Sequence, residues 1–192
     1  MLTPQQALII GGVVSPIILV VIAFFTRASK RRFVGALVGA VAYGVLNFAL
    51  DRLAFAAGWW QYPAWASSGQ LLFLYIPAGI VGGAFGLIGW RVMRRFSWRG
   101  LIGFLLVWSV WGVIHDVGGS AAFASSNFMV FGSGIVPLLA DVAVFAACGA
   151  VAQVAIWLVA GPPHADRLAR IRNPAEGAQR LNELSRQDYT DR

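Results

Sequence analysis

The chain predicts an all-α, polytopic integral membrane protein: a bundle of five transmembrane helices, N-terminus outside and C-terminus cytoplasmic. Three observations lead there. Five apolar stretches each approach the ~20 residues that cross a bilayer as a helix. Basic residues collect in alternate loops, as they do on the cytoplasmic side of membrane proteins. Tryptophan and tyrosine cluster at both ends of the apolar stretches, where amphipathic rings prefer the membrane interface. The bulk agrees. Of 192 residues 58% are hydrophobic and 12% charged, with mean hydropathy +0.70, against about 25% charged in a soluble domain.

The first span is Ala7–Phe25, with Pro16 inside it as a tolerated kink. Met1–Gln6 carries no charged side chain, and the basic cluster Arg27, Lys30, Arg31, Arg32 follows the apolar run instead of preceding it. A cleavable signal peptide has the opposite order, so this reads as a span that enters with its N-terminus outside. The second span runs from Phe33 to about Ala57 and the third from Leu71 to about Trp90. A second basic loop follows (Arg91, Arg94, Arg95, Arg99), then a fourth span from Leu101 to about Gly118 and a fifth, Ile135–Val159. The remaining two loops carry no Lys or Arg beyond Arg52. Trp59, Trp60, Tyr62 and Trp65 mark the outer interface; Trp90, Trp98 and Trp157 mark the inner one.

This divides the chain into a membrane domain, 1–161, and a soluble cytoplasmic tail, 162–192. In the tail, Asn173-Pro174-Ala175-Glu176 reads as a helix start, with an N-cap, proline at the first position and an acid at the third. The outer loop Gly119–Gly134 has no charges and is rich in Gly, Ala, Ser and Phe, which suits lying along the membrane or re-entering it. Gly79, Gly82, Gly83 and Gly86, and likewise Gly35 and Gly39, have the small-xxx-small spacing of close helix contacts. Tyr43–Asn47 aligns with Trp111–His115 at an offset of 68 residues, the trace that a duplicated hairpin would leave.

The net charge of +7 and the pI near 10.8 invite a nucleic-acid reading. Placement refutes it: nine of the fifteen basic residues lie in or beside the apolar stretches, mostly in the two topology-setting loops. No nucleic-acid partner is expected. Cys148 is the single cysteine, which excludes an intrachain disulfide and any zinc framework of paired cysteines.

Function is sought where charge sits in apolar sequence. Asp51, His115, Asp116 and Asp141 fall inside or at the ends of spans, where a charged group costs at least ~2.5–3.5 kcal/mol. His115 lies fourteen residues past Leu101, ~21 Å from the cytoplasmic entry. Asn47 lies fourteen past Phe33, at the same level, and Asp51 one turn further out on the same face. Asp141, six residues into the last span, is ~9 Å below its outer start. These depths converge on the outer third of the bilayer from three helices. Arg52 alone on that side neutralises one carboxylate. The excess is relieved by proton uptake, protonation of His115, a bound cation or water, or the network is a structural tie between helices.

The expected function is therefore an outer-leaflet polar pocket that binds or transforms a small lipophilic or amphipathic molecule. Asp51, His115, Asp116 and Asp141 are the candidate acid–base groups. Asn47 and Arg52 are candidate ligand-binding residues, and Trp59, Trp60 and Tyr62 candidates to cover the ligand. The alternative is a non-catalytic accessory subunit packed against a larger membrane complex. Ion conduction is disfavoured, because the inner half offers few polar groups beyond Tyr43 and Gln153. A retinal-type Schiff base is excluded within the bundle, since Lys30 is the only lysine and lies in a loop. Two histidines, His115 and His164, exclude a multi-histidine di-iron site and a bis-histidine haem. No DDxxD pair is present for a pyrophosphate and Mg²⁺. The four acid–base candidates have mixed N and O ligands that suit Mn, Fe or Zn, but no metal is assigned and the cofactor is left open.

Asp51–Trp65 together with Leu74-Tyr75-Ile76-Pro77, Leu87-Ile88-Gly89-Trp90-Arg91 and Arg94-Arg95-Phe96 resembles uncharacterised small bacterial multi-spanning membrane proteins. That resemblance covers most of the membrane part and implies a multi-pass protein of the bacterial cytoplasmic membrane, without an activity. An aspartate followed by Gly58-Trp59-Trp60 at the outer end of a helix is similar to membrane-embedded lycopene cyclase domains, which implies acid residues that protonate a polyene. Those domains often use glutamate; here Glu176 and Glu183 lie in the tail, leaving Asp51, Asp116 and Asp141.

The topology is tested with cysteines placed singly. Ser68→Cys and Ser126→Cys should label with an impermeant thiol reagent from outside, and Ser97→Cys should not. Labelling of position 97 from outside with position 68 protected reverses the arrangement.

Overall fold

The structure is a computed structural model that describes residues 3–68, 70–122 and 129–163. The tail helix expected from Asn173, and most of the outer loop before Met129, lie outside the described residues. The rest is almost wholly helical. In chain order it comprises α1 (Pro4–Phe25), α2 (Lys30–Ala56), β1 (Trp60–Gln61), α3 (Pro63–Ser68), α4 (Leu71–Ala122), β2 (Val130–Phe131) and α5 (Val136–Ala160).

Caps explain why the helices begin before the apolar runs do. Thr3 accepts from the Gln6 amide and Gln6 reaches back to the Thr3 amide, a capping box with proline in the first turn. Ser29 caps α2 in the same way, accepting from the Arg32 amide. The basic residues 30–32 are thus the first turn of α2 and not a loop. Arg32 is buried there, its guanidinium 4.6 Å from the centre of the Trp90 ring, with Arg94 over the same ring at 5.6 Å.

α1, α2, α4 and α5 are long and apolar enough to cross a membrane. α4 has 52 residues, ~78 Å if straight, against a hydrocarbon core of ~30 Å. It is not straight. Ser97 has φ 54° and ψ −148°, a region that costs a serine strain, and the chain folds back on itself there. Phe85 and Trp108, 23 positions apart and so ~35 Å along an unbroken helix, have ring centres 4.8 Å apart. α4 is therefore two arms, 71–96 and 98–122, joined at the second basic loop.

α2 is the central helix and meets α4 and α5 along two rows of small residues. A Cβ on Gly79 would come within 2.4 Å of the Ala40 carbonyl, and one on Gly83 within 2.3 Å of the Ala36 carbonyl. On the α5 side, Gly35 and Gly39 meet the backbone of Ile156 and Ala152. Backbones this close gain dispersion contact that lipid cannot match, so the glycine spacings do mark interfaces. The offset of 68 does not carry over into packing: Gly35 is in contact with α5, while Gly103 faces open space.

α1 is peripheral, with 11% of its apolar window buried. It packs on the first arm of α4 in parallel. Gly11 meets Pro77, and Arg91 Nη1 donates to the Phe25 carbonyl at 2.8 Å, both pairs being 66 residues apart. The outward apolar faces of α1 and its neighbours suit lipid, not water.

At the far end from the basic residues, β1 and β2 form a two-stranded antiparallel ribbon with Trp60 opposite Phe131. The Gly132 amide extends it, donating to the Trp59 carbonyl at 2.7 Å. The described part of the outer loop is thus pinned to the tryptophan-rich segment.

Gly83→Ala should destabilise the protein in detergent by ~1–3 kcal/mol, the usual cost of overpacking. Gly12→Ala, with nothing within 4 Å, should be neutral or slightly stabilising. Equal losses from both would remove close packing as the cause.

Candidate functional site

The ribbon end of the bundle holds the acidic candidates and His115. Asp51, near the last turn of α2, is 3% exposed. It accepts the Trp60 indole N–H at 3.1 Å on Oδ1 and the Tyr75 hydroxyl at 2.9 Å on Oδ2. One donor comes from β1 and the other from α4, so this carboxylate ties three elements together. Arg52, adjacent in sequence, is exposed and is not one of these two donors. Neighbouring residues on a helix point ~100° apart, so burying Asp51 turns Arg52 outward.

Asp141, near the start of α5, is 2% exposed, and its Oδ2 has no hydrogen-bond partner. The charges of Asp116 and Asp51 both act on it. His115 and Asp116, on the second arm of α4, bond to each other, Nδ1 to Oδ1 at 2.8 Å. The imidazole is largely exposed and the carboxylate mostly covered. His115 lies 18 residues beyond the Ser97 reversal, ~27 Å along the second arm, toward the ribbon end of the bundle.

A cleft of ≈ 510 Å³ opens between α1, α2 and both arms of α4, within the range of ~300–1,000 Å³ typical of small-molecule sites. Of the residues the sequence singled out, Asn47, Asp51, Tyr62, His115 and Asp116 line it. Arg52, Trp59, Trp60 and Asp141 do not. Trp60 is 1% exposed and spent on Asp51, with Trp59 packed beside it at 6.3 Å. The aromatic cover comes instead from Tyr62 and from Trp65 of α3. Burial, and then the carboxylates of Asp51 and Asp116, push the Tyr62 hydroxyl well above the ordinary phenol value. It therefore remains a proton donor facing the cleft.

The inner wall is aromatic. Phe85, Trp108 and Trp111 stack on one another at 4.8–5.7 Å, and Trp111 continues to His115 at 5.3 Å. Sequence spacing puts Trp108, Trp111 and His115 on one face of the second arm. It missed Tyr75 as a partner of Asp51 and Ser15 as a lining residue of α1. The only signal for either was a single hydroxyl in an apolar run. Among the described residues no three His, Cys, Asp or Glu side chains converge closely enough to hold a metal ion. Among the described residues no lysine or arginine lines the cleft. The arrangement can hold an apolar body between rings and offer carboxylate, imidazole and phenol groups at its outer end.

Comparison with protein-family models, curated proteins and solved structures found no match.

The two buried aspartates should respond oppositely to amidation. Asp51→Asn leaves one of two donors facing an NH₂ and should cost ~1.5–3 kcal/mol, the worth of a hydrogen bond to a charged group. Asp141→Asn removes a buried charge whose Oδ2 has no hydrogen-bond partner and should be neutral or stabilising. Thermal unfolding in detergent separates them; a larger loss at position 141 contradicts the assignment.

Proposed function

We propose that this is a five-span protein of the bacterial cytoplasmic membrane, N-terminus outside, whose cleft binds or transforms a small lipophilic or amphipathic molecule from the outer leaflet. The span count is supported by the reversal of α4 at Ser97, which leaves two arms each of span length. The orientation is supported by Arg27, Lys30, Arg31 and the Arg91–Arg99 cluster gathering at the end away from Asp51, since positive residues stay cytoplasmic. The choice of membrane rests on the resemblance to bacterial multi-spanning proteins.

One observation carries the functional reading: a ≈ 510 Å³ apolar cleft whose polar lining groups include Asp51, Tyr62, His115 and Asp116 toward one end. A large apolar pocket with a few convergent polar groups is the usual form of a ligand site. In the proposed roles, Asp116 orients His115, so that the other imidazole nitrogen exchanges a proton with the ligand's polar end. Asp51 with Tyr75, and Tyr62, fix that end by hydrogen bonds. Asp141 tunes the local field without touching the ligand.

Ala78 lines the cleft, and Ala78→Trp should fill it. Native mass spectrometry should find a small molecule on the purified wild-type protein and little or none on the variant at similar thermal stability. Equal occupancy of the two, or a bare wild-type protein that no lipophile stabilises, would sink the reading.

A further inference from the structure

Ser15 plays no part in the roles above, yet its placement is unusual. It is 2% exposed, lines the cleft from the middle of α1, and its Oγ has no hydrogen-bond partner. A serine in an apolar helix ordinarily bonds back to the carbonyl four residues earlier. Ser109 does so to Leu105 at 2.8 Å, and Thr26 does so to Ile22 at 2.7 Å. Ser15 does not. A buried hydroxyl left unsatisfied costs free energy, and Ser15 lines the cleft, so an acceptor brought there would relieve it.

Register gives its depth. With α1 and the first arm of α4 offset by 66 residues, Ser15 is level with Val81. The Tyr43 ring packs on Gly82 at the same level. Tyr75, which holds Asp51, is six residues nearer the outer end, ~9 Å. The polar lining therefore has an outer layer of Asp51, Tyr62, His115 and Asp116, with Asn47 one helical turn below Asp51, and a deeper layer in which Ser15, about 9 Å further in, and Tyr43 sit among apolar neighbours such as Val14, Ile18 and Ala78.

We propose that the cleft takes a phosphate-free lipophile carrying a carbonyl oxygen within its apolar body, and that Ser15 donates to that oxygen. This rests on the cleft being a ligand site. Among the described residues no lysine or arginine lines the cleft, so a phosphate or carboxylate head would meet no counter-charge from them and would face Asp51 and Asp116 instead. A carbonyl suits Ser15 better than a hydroxyl does. Two hydroxyls share one hydrogen bond and leave one O–H without an acceptor, whereas a carbonyl has no donor to strand.

The test uses the full chain in detergent. A decyl-substituted benzoquinone, which quenches indole fluorescence on binding, is titrated, and decylbenzene and a short-chain phosphatidylglycerol compete against it. The quinone should bind about fivefold more tightly than decylbenzene, the effect of one neutral hydrogen bond, and phosphatidylglycerol should compete poorly. Ser15→Ala should erase the preference while leaving decylbenzene's affinity unchanged; Ser15→Thr, which keeps a hydroxyl, should retain it. A preference that survives Ser15→Ala overturns the proposal. Equal binding of both probes to the wild-type protein, or strong competition by phosphatidylglycerol, overturns it while leaving the cleft as a ligand site. No binding of any probe overturns both.

Discussion

The carboxylate of Asp51 is the interaction on which the ribbon end of the protein depends. It takes hydrogen bonds from Trp60 on β1 and Tyr75 on α4 while sitting on α2. A carboxylate out of water is costly unless it is hydrogen-bonded, and these two aromatic donors supply one bond to each of its oxygens without a cation. Trp60, so fixed, sets the two-residue ribbon with Phe131 and Val130. Tyr75, so fixed, sets the outer end of the first arm of α4. The mouth of the cleft is the space these constraints leave.

Further in, packing takes over from hydrogen bonding. α2 approaches α4 through Gly79 and Gly83 and approaches α5 through Gly35 and Gly39. Between α1, α2 and the two arms of α4 the packing is looser and the cleft opens. Phe85, Trp108 and Trp111 floor it as a stacked group, a rigid apolar surface with a geometric preference of its own. At the opposite end, Trp90 lies beneath Arg32 and Arg94, and Arg91 closes the last turn of α1. One end of the bundle is thus cationic and the other acidic, a polarity that suits a fixed orientation in a membrane.

The helices, the glycine interfaces and the basic end were legible because each is a local or periodic property of the chain. The ribbon was not: β1 and β2 are two residues each and 70 positions apart, too short for alternation to show. Asp51 could be read as buried, but its partners could not. Sequence adjacency suggested Arg52, whereas helix geometry turns Arg52 outward and lets Tyr75, 24 positions away, donate instead. Trp60 read as an interfacial ring because tryptophan is common there; its indole N–H on Asp51 is a tertiary fact. Ser15 was invisible for another reason. A lone serine in an apolar span normally satisfies itself on its own helix, and only the structure reveals that this one does not.

The most direct measurement of the central claim is the indole N–H of Trp60, followed by ¹⁵N-resolved NMR and hydrogen exchange of the detergent-solubilised protein. A hydrogen bond to a buried carboxylate predicts a proton far more protected than that of exposed Trp98, with a resonance that moves in Asp51→Asn and in Tyr75→Phe. A Trp60 indole that exchanges as fast as Trp98 and ignores both substitutions would contradict the account.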